Sequence, residues 1–469
     1  MAPVNELRRC DLLLTGGSVV TVDDDRNVFQ PGAVAIEGER IVAVGPAEEL
    51  AGVSATRIVD CTGKAVIPGL VDCHNHLFQF ITRGLGEGME LWSWLADFMW
   101  PVSTNITRDE AVSAVRLAAL ESAKAGTTGV VDNHYAPTDL ESTLAVANAI
   151  EEVGLRGTVA RGMTGAVTEV ARDLNLHRGM FPYALEDEVA ITRDAIQARA
   201  GRRVAVWPAP LNIIYVAQDL VRAAVELARE LGTGWHAHCC EFHTDPITYP
   251  KHYGIRAVEW LASEGLLGEG ATLAHMIFLS DEEVARVGET RTGVAYCPVS
   301  HEYLGLGVMR LRDLRRAGAV VGLGYDGASG HRQDMFEQMK QSILLQRVES
   351  LDPTISNAEE AIELATREGA RFLGVDAGIL APGKLADVAV VNLGRAHTTP
   401  WHRTVATLAY SAWGSDVDMT IVGGDIVVED GHSTKVDEAR VMAEAQARAE
   451  EFVARCGLDS LRVPWRRVG

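Results

Sequence analysis

The chain has 469 residues, 47% of them hydrophobic and 23% charged, a globular balance that excludes a disordered or fibrous protein and suits one large domain with a smaller one. Lys and Arg number 43 against 64 Asp and Glu, and the resulting charge of −21 repels phosphate backbones and anionic lipid, which argues against nucleic-acid and membrane-surface partners. Seven cysteines, odd in number and without a CxxC pair, exclude a disulfide framework and a zinc knuckle.

At the N-terminus only Leu12 to Leu14 are continuously apolar before Gly16-Gly17, too short for a signal peptide, and no run of 18 apolar residues follows. A cytoplasmic protein is expected. Residues 11 to 66 then read as short strands with glycine turns: DLLLTGGSVVTVD, GAVAIEGERIVAVG and RIVDCTGKAVIPG. The same texture returns late, in LADVAVVNL and DMTIVGGDIVVEDG. These pieces predict a composite β-sandwich built from residues 1–66 and 383–435.

The middle alternates apolar runs with helical patterns, the signature of βα units. The runs are AVIPGLVDCHNH, TTGVVDNH, RGTVARGM, RVAVWPAP, GTGWHAHCCE, ATLAHM, GVAYCPVS and VVGLGYDG. Thr107 with Glu110 and Ser280 with Glu283 have capping-box spacing, and Gly126 ends the first helix. Eight strands, each followed by a helix, predict an α/β fold, a (β/α)8 TIM barrel over residues 67–382. Val436 to Arg455 reads as helix within a C-terminal tail of residues 436–469.

Chemistry-bearing residues fall at the carboxyl ends of these strands, where barrel enzymes carry their sites. His74 and His76 end the first run, and their i, i+2 spacing puts both on one face. His236 and His238 end the fifth, with Glu241 three residues on; His275 ends the sixth and Asp326 the eighth. Singly, each has an ordinary structural explanation; their shared register at four strand ends does not. Three imidazoles and a carboxylate suit one divalent transition metal, Zn²⁺ or alternatively Fe²⁺, with a position open to water.

The order HxH, HxxE, H, D, flanked by a split sandwich, resembles the amidohydrolase superfamily over nearly the whole chain. GKAVIPGLVDCHNH resembles that family's entry to the first barrel strand, and Gly378 to Asp387 resembles its G-x-L-x-x-G-K-x-A-D return. Within it, HNHLFQFITRGLG, VWPAP, EYLGLGVMRLRDL and AYSAWGSDVDMTIVGGDIVVEDG look most like the branch of atrazine chlorohydrolase, melamine deaminase and related heteroaromatic deaminases.

This resemblance implies that His74, His76, His238 and Asp326 hold the metal, that Glu241 shuttles a proton, and that His275 touches the attacking water or polarises the substrate. Asp326 would also take a proton from that water. Two-metal members carry a lysine at the end of strand four; Val206-Trp207-Pro208-Ala209-Pro210 has none, so a single metal is expected. His236 reads as filling the barrel wall. Gln79, Trp92, Tyr135, His301 and Tyr303 are the candidate substrate contacts, with Trp94, Trp100 and Trp207 nearby. Departures gather at the mouth: Pro298-Val299-Ser300-His301 in place of P-x-S-N, Tyr325 before the aspartate, and His331-Arg332 in place of a small amide. They suggest a substrate more anionic or oxygen-rich than a triazine.

The expected activity is hydrolytic deamination of a nitrogen heteroaromatic ring such as a purine, pterin, pyrimidine or s-triazine. Dechlorination or dealkylamination of an s-triazine on the same site is the alternative within enzymes. A non-catalytic binding protein is the alternative of another class. The partner is a small molecule, and a homo-oligomer is expected.

Overall fold

The computed structural model describes residues 9–462; the parts of the expected sandwich and tail in residues 1–8 and 463–469 lie outside them. Nine strands form one mixed sheet that draws on both ends of the chain. From the front come β1 (Arg9–Val20), β2 (Val28–Glu37), β3 (Arg40–Pro46), β4 (Ser54–Asp60) and β5 (Lys64–Pro68).

Eight further strands are all parallel. They are β6 (Leu70–Asn75), β7 (Thr127–His134), β8 (Arg156–Met163) and β9 (Val204–Pro210) in one four-stranded sheet, and β10 (Trp235–Cys239), β11 (Ala271–His275), β12 (Gly293–Tyr296) and β13 (Val320–Leu323) in another. All eight runs expected from the sequence are present. Their burial is nearly continuous, as it must be for parallel strands covered on both faces. Back to the mixed sheet go β14 (Val388–Asn392), β15 (Val417–Val422), β16 (Asp425–Glu429) and β17 (His432–Ser433).

The two ends meet where β14 pairs antiparallel with β5, Val390 opposite Val66, and β5 pairs parallel with β1. The run Ala65–His76, continuous in sequence, divides between two sheets: β5 belongs to the mixed sheet and β6 to the parallel one. The break is Gly69, where a Cβ would lie 2.3 Å from the Thr128 side chain. Asp387, from the late motif, clamps the two parts together: it accepts both Arg156 Nε at 2.5 Å and Nη2 at 2.9 Å, and its other partner is Gly423 N at 2.7 Å.

The two parallel sheets touch at both margins. Just past β9, Ile213 N bonds His238 O and His238 N bonds Leu211 O. Beyond β13, Tyr325 N and Asp326 N both bond His74 O, at 2.8 and 2.9 Å. Both expected capping boxes form, at Thr107–Glu110 and Ser280–Glu283. The C-terminal helix Glu438–Arg455 lies on the helix Arg108–Lys124, tied by Arg455 to Glu110 at 2.7 Å and by Lys124 to Glu438 at 2.5 Å. No helix among the described residues is long and apolar enough to cross a membrane.

Candidate metal centre and active site

His74, His76, His238 and Asp326 come together at the carboxyl ends of the parallel strands, all buried, with one ligand atom from each within 4.8 Å of the others. Each imidazole is anchored through Nδ1. His76 Nδ1 donates to Asn133 O at 2.7 Å and His238 Nδ1 to Leu211 O at 2.6 Å. A carbonyl only accepts, so both Nδ1 atoms carry the proton and both Nε2 atoms present a lone pair. His74 Nδ1 lies 2.8 Å from His236 Nε2.

The donor set fits a divalent metal. His76 Nε2 and His238 Nε2 stand 3.2 Å apart, and Asp326 Oδ1 lies 3.3 Å from both His74 Nε2 and His76 Nε2. A tetrahedral zinc with ligands near 2.0–2.1 Å spaces those ligands about 3.4 Å apart. Without a cation, two nitrogen lone pairs and a carboxylate would face one another in a buried space. The buried His74 Nε2 has no hydrogen-bond partner.

Electrostatics agree. Burial pushes His74 well below the usual imidazole value and His238 down to about 4, keeping them neutral and ready to ligate. Burial opposes ionisation of Asp326, but His275, His74 and His76 outweigh it and hold the carboxyl well below the usual range. The backbone is strained here: Asp326 has φ +65° and His275 has φ +74°, left-handed values that non-glycine residues rarely adopt. The two bonds to His74 O hold Asp326 in place, and Gly327 follows it at φ +64°, where a Cβ would meet Gln79 Oε1 at 2.4 Å.

Glu241 stands beside the cluster, Oε1 3.7 Å from His275 Nε2. Burial drives its carboxyl well above the ordinary range, and Asp326 and Asp245 add to the effect. His275 Nε2 has no hydrogen-bond partner, while its Nδ1 lies 3.2 Å from His301 Nε2.

The adjoining cavity is lined by His76, His238, Glu241, Asp326, Gln79 and Tyr135, together with Trp94, Trp100, Tyr215, Asn212, Ser329 and four leucines. Gln79 is already engaged, donating to Tyr135 Oη at 2.8 Å and accepting Ala328 N at 3.2 Å. Trp92 lies outside this lining, edge-on to Phe242 at 6.0 Å. His301 is buried behind His275, and Tyr303 is half-buried, 4.9 Å from the His331 ring. Arg332 bonds Glu337 at 2.9 Å and sits over Trp413 at 4.9 Å, away from the cavity.

Sequence reasoning missed Tyr215 and Asn212 in the cavity lining, and the hydrogen bond by which Ser300 Oγ holds Asp326 Oδ2 at 2.5 Å. The first two follow β9 in a stretch with no motif, although their place after a strand end was a usable signal. Nor is His236 a mere wall filler, since it bonds a metal-site imidazole.

A family model described as the amidohydrolase family matches residues 65–427, and one for a bacterial imidazolonepropionase-like composite domain matches residues 32–52. The chain belongs to the amidohydrolase family. It is 32% identical over 448 residues to a 5-methylthioadenosine/S-adenosylhomocysteine deaminase of Pelotomaculum thermopropionicum, covering 95% of this chain and 99% of that one. It is 33% identical over 444 residues to a 5′-deoxyadenosine deaminase of Methanothermobacter thermautotrophicus, covering 94% and 98%. Among solved structures, an adenosine deaminase from Xanthomonas campestris with bound zinc is similar at 26% identity and a TM-score of 0.86, over 96% of this chain and 100% of that one. Atrazine chlorohydrolase from Arthrobacter aurescens, complexed with zinc, shares the fold at 23% identity and a TM-score of 0.86, over 93% and 100%. This amidohydrolase is thus a metal-dependent aminohydrolase of a nitrogen heteroaromatic ring, and zinc is the metal that its cluster and the zinc-bound adenosine deaminase structure support.

Proposed function

We propose that the chain deaminates a neutral purine-type ring, replacing the 6-amino group of an adenine-like substrate by oxygen and releasing ammonia. The observation that carries this reading is the placement of Glu241, a buried carboxyl that lines the cavity with His76, His238 and Asp326 of the four-residue cluster, its Oε1 3.7 Å from His275 Nε2. The relatives named as adenosine-type deaminases support the ring. The cavity supports its neutrality and flatness: Trp94, Trp100, Tyr135 and Tyr215 supply aromatic surface, and no Lys or Arg is among the lining residues. That lining disfavours the anionic substrate suggested by His331 and Arg332.

His74, His76, His238 and Asp326 would hold one zinc ion, which when bound would lower the pKa of water toward about 7 and supply a nucleophile at neutral pH. Asp326, held in the carboxylate form, accepts a proton from the attacking water. Glu241 in its acid form donates to the ring nitrogen beside the attacked carbon, which relieves the negative charge that addition creates. The proton that Asp326 took from the water passes to the departing amine, because an amide anion is too basic to leave unprotonated, and the hydroxyl proton of the collapsing adduct returns to Glu241 as the carbonyl forms. His275 Nε2, without a hydrogen-bond partner and 3.7 Å from Glu241 Oε1, is placed to steady the developing charge beside that carboxyl. General acid–base help of this kind contributes about 10²–10⁴ in rate. Chloride needs no such proton, so a carboxyl placed to donate one favours an amine leaving group.

The eight parallel strands are proposed to close as the (β/α)8 barrel of residues 67–382, with residues 1–66 and 383–435 as the composite sandwich and 436–469 as the tail. The bonds at both margins of the parallel sheets and the shared nine-stranded sheet support that division.

An ammonia-release screen tests the function. The zinc-loaded protein is given adenosine and its 5′-modified derivatives, free purines, pterins, pyrimidines and s-triazines, with chloride and alkylamine release read in parallel. Fastest ammonia release from an adenine ring is the expected result. Release of chloride or alkylamine alone would overturn the reading, as would silence on every adenine derivative.

A further inference from the structure

His74 is anchored differently from its two companions. His76 and His238 place Nδ1 on backbone carbonyls, which cannot turn away, but His74 places Nδ1 on another side chain, His236. That partner is itself tied down. His236 Nδ1 lies 2.9 Å from Thr272 Oγ1, the residue opposite it on β11, and Thr272 Oγ1 donates to Trp235 O at 2.8 Å. The order of donation follows. A carbonyl only accepts, so the one hydroxyl proton of Thr272 goes to Trp235 O. Thr272 Oγ1 must then accept from His236 Nδ1–H. That leaves His236 Nε2 with a lone pair, which accepts from His74 Nδ1–H. His74 Nε2, in turn, is left with its lone pair toward Asp326 Oδ1, 3.3 Å away.

From this relay, and building on the metal-site reading above, we infer that His236 is a positioning residue: with Thr272 it fixes the His74 tautomer so that Nε2 is offered to the metal. The competing arrangement is specific. A His74 with its proton on Nε2 would donate to Asp326 Oδ1, joining two ligands in a hydrogen bond that the metal must break. His236 removes that alternative by demanding the proton on the other side of the ring. All three side chains are buried, so water does not substitute for a missing partner.

Three variants test the relay: His236→Leu, which fills space without accepting; His236→Gln, whose amide both accepts and donates; and Thr272→Val, which keeps shape and loses the acceptor. Zinc affinity is read by competition with a chromophoric chelator, without substrate. The His74 tautomer is read from imidazole ¹⁵N shifts of the histidine-labelled, metal-free protein. His236→Leu is expected to weaken zinc about 10–100-fold, the usual cost of losing such a partner. Thr272→Val shifts affinity the same way by less, and His236→Gln recovers most of the loss. Metal-free wild type carries the His74 proton on Nδ1. Zinc affinity within about twofold of wild type in His236→Leu would overturn the inference, since the loss expected is at least tenfold. A wild-type His74 protonated on Nε2 would overturn it too. Should His236→Leu not fold, unchanged affinity in Thr272→Val refutes the relay and a weakened one upholds it. Because no substrate enters the test, a failed ammonia screen and a failed relay are told apart.

Discussion

Ser300 Oγ donates a 2.5 Å hydrogen bond to Asp326 Oδ2, so the carboxylate is turned with Oδ1 toward His74 and His76. Ser329 Oγ, 3.0 Å from Ser300 Oγ and 2.6 Å from Asp326 O, backs the same arrangement. A ligand carboxylate held this way loses less freedom when it meets the metal. Ser300→Ala is therefore expected to weaken zinc affinity by about tenfold, the lower end for such outer partners. Chelator competition measures it, and a wild-type affinity would show that strain at Asp326 alone fixes the carboxylate.

His238→Ala removes one of three converging imidazoles. It should abolish stoichiometric zinc and turnover together, while far-UV circular dichroism and the unfolding midpoint of the metal-free protein change little. The core beneath the site is built from aliphatic strand residues such as Val131, Ala160, Ala274 and Ala295, which do not depend on the ion. Elemental analysis finding two tightly held metals per active wild-type chain would contradict the single-metal reading.

How much of this was legible in the sequence differs from residue to residue. Strand-end residues were legible because each is fixed by its place in a short apolar run: β6, β10 and β11 carry His74, His238 and His275, and Asp326 follows three residues after β13. The capping boxes were legible because they are local. The split of Ala65–His76 between two sheets was hidden, since Gly69 breaks the run through contact with Thr128, far along the chain. The His236–Thr272 link joins neighbouring strands through their register, which periodicity does not reveal. The cavity wall was the least legible. Trp92, Trp94 and Trp100 are alike in composition, and only the turn of their helical segments brings the latter two inward.

Asp132 and His134 give a pH prediction. Burial pushes Asp132 from 3.8 up to about 7, while burial pushes His134 from 6.5 down to about 4, and the two side chains lie 3.9 Å apart. Below pH 3.8 Asp132 is protonated whether the chain is folded or not; between there and about 7 the unfolded chain loses a proton that the folded chain keeps. Stability from this group thus falls as pH rises through that window and is level above it. His134 works in the opposite direction, since its unfolded form binds a proton that the folded form refuses between about 4 and 6.5. Asp132→Asn removes only the first effect. Its unfolding midpoint should rise relative to wild type from pH 4 to 7 and hold a constant offset above. Parallel curves across that range would mean that Asp132 is already ionised in the fold.

Glu241 is the residue on which the reaction type turns. Its Oε1 lies 3.7 Å from His275 Nε2, it lines the cavity, and it belongs to no anchored pair. Glu241→Gln keeps the shape and hydrogen-bonding reach of the side chain but has no proton to give as an acid. The variant should retain zinc and substrate affinity, and its turnover should fall by about 10²-fold or more. The loss should be larger for an amine leaving group than for chloride, which departs without a proton, so the ratio of the two losses separates acid catalysis from simple misplacement of the substrate. Near-normal deamination by a zinc-loaded Glu241→Gln protein would pass the role to His275, whose Nε2 has no hydrogen-bond partner and lies 3.7 Å from Glu241 Oε1. A variant that loses its zinc would instead place Glu241 among the ligands, and the order of binding at the end of β10 would then run through both His238 and Glu241.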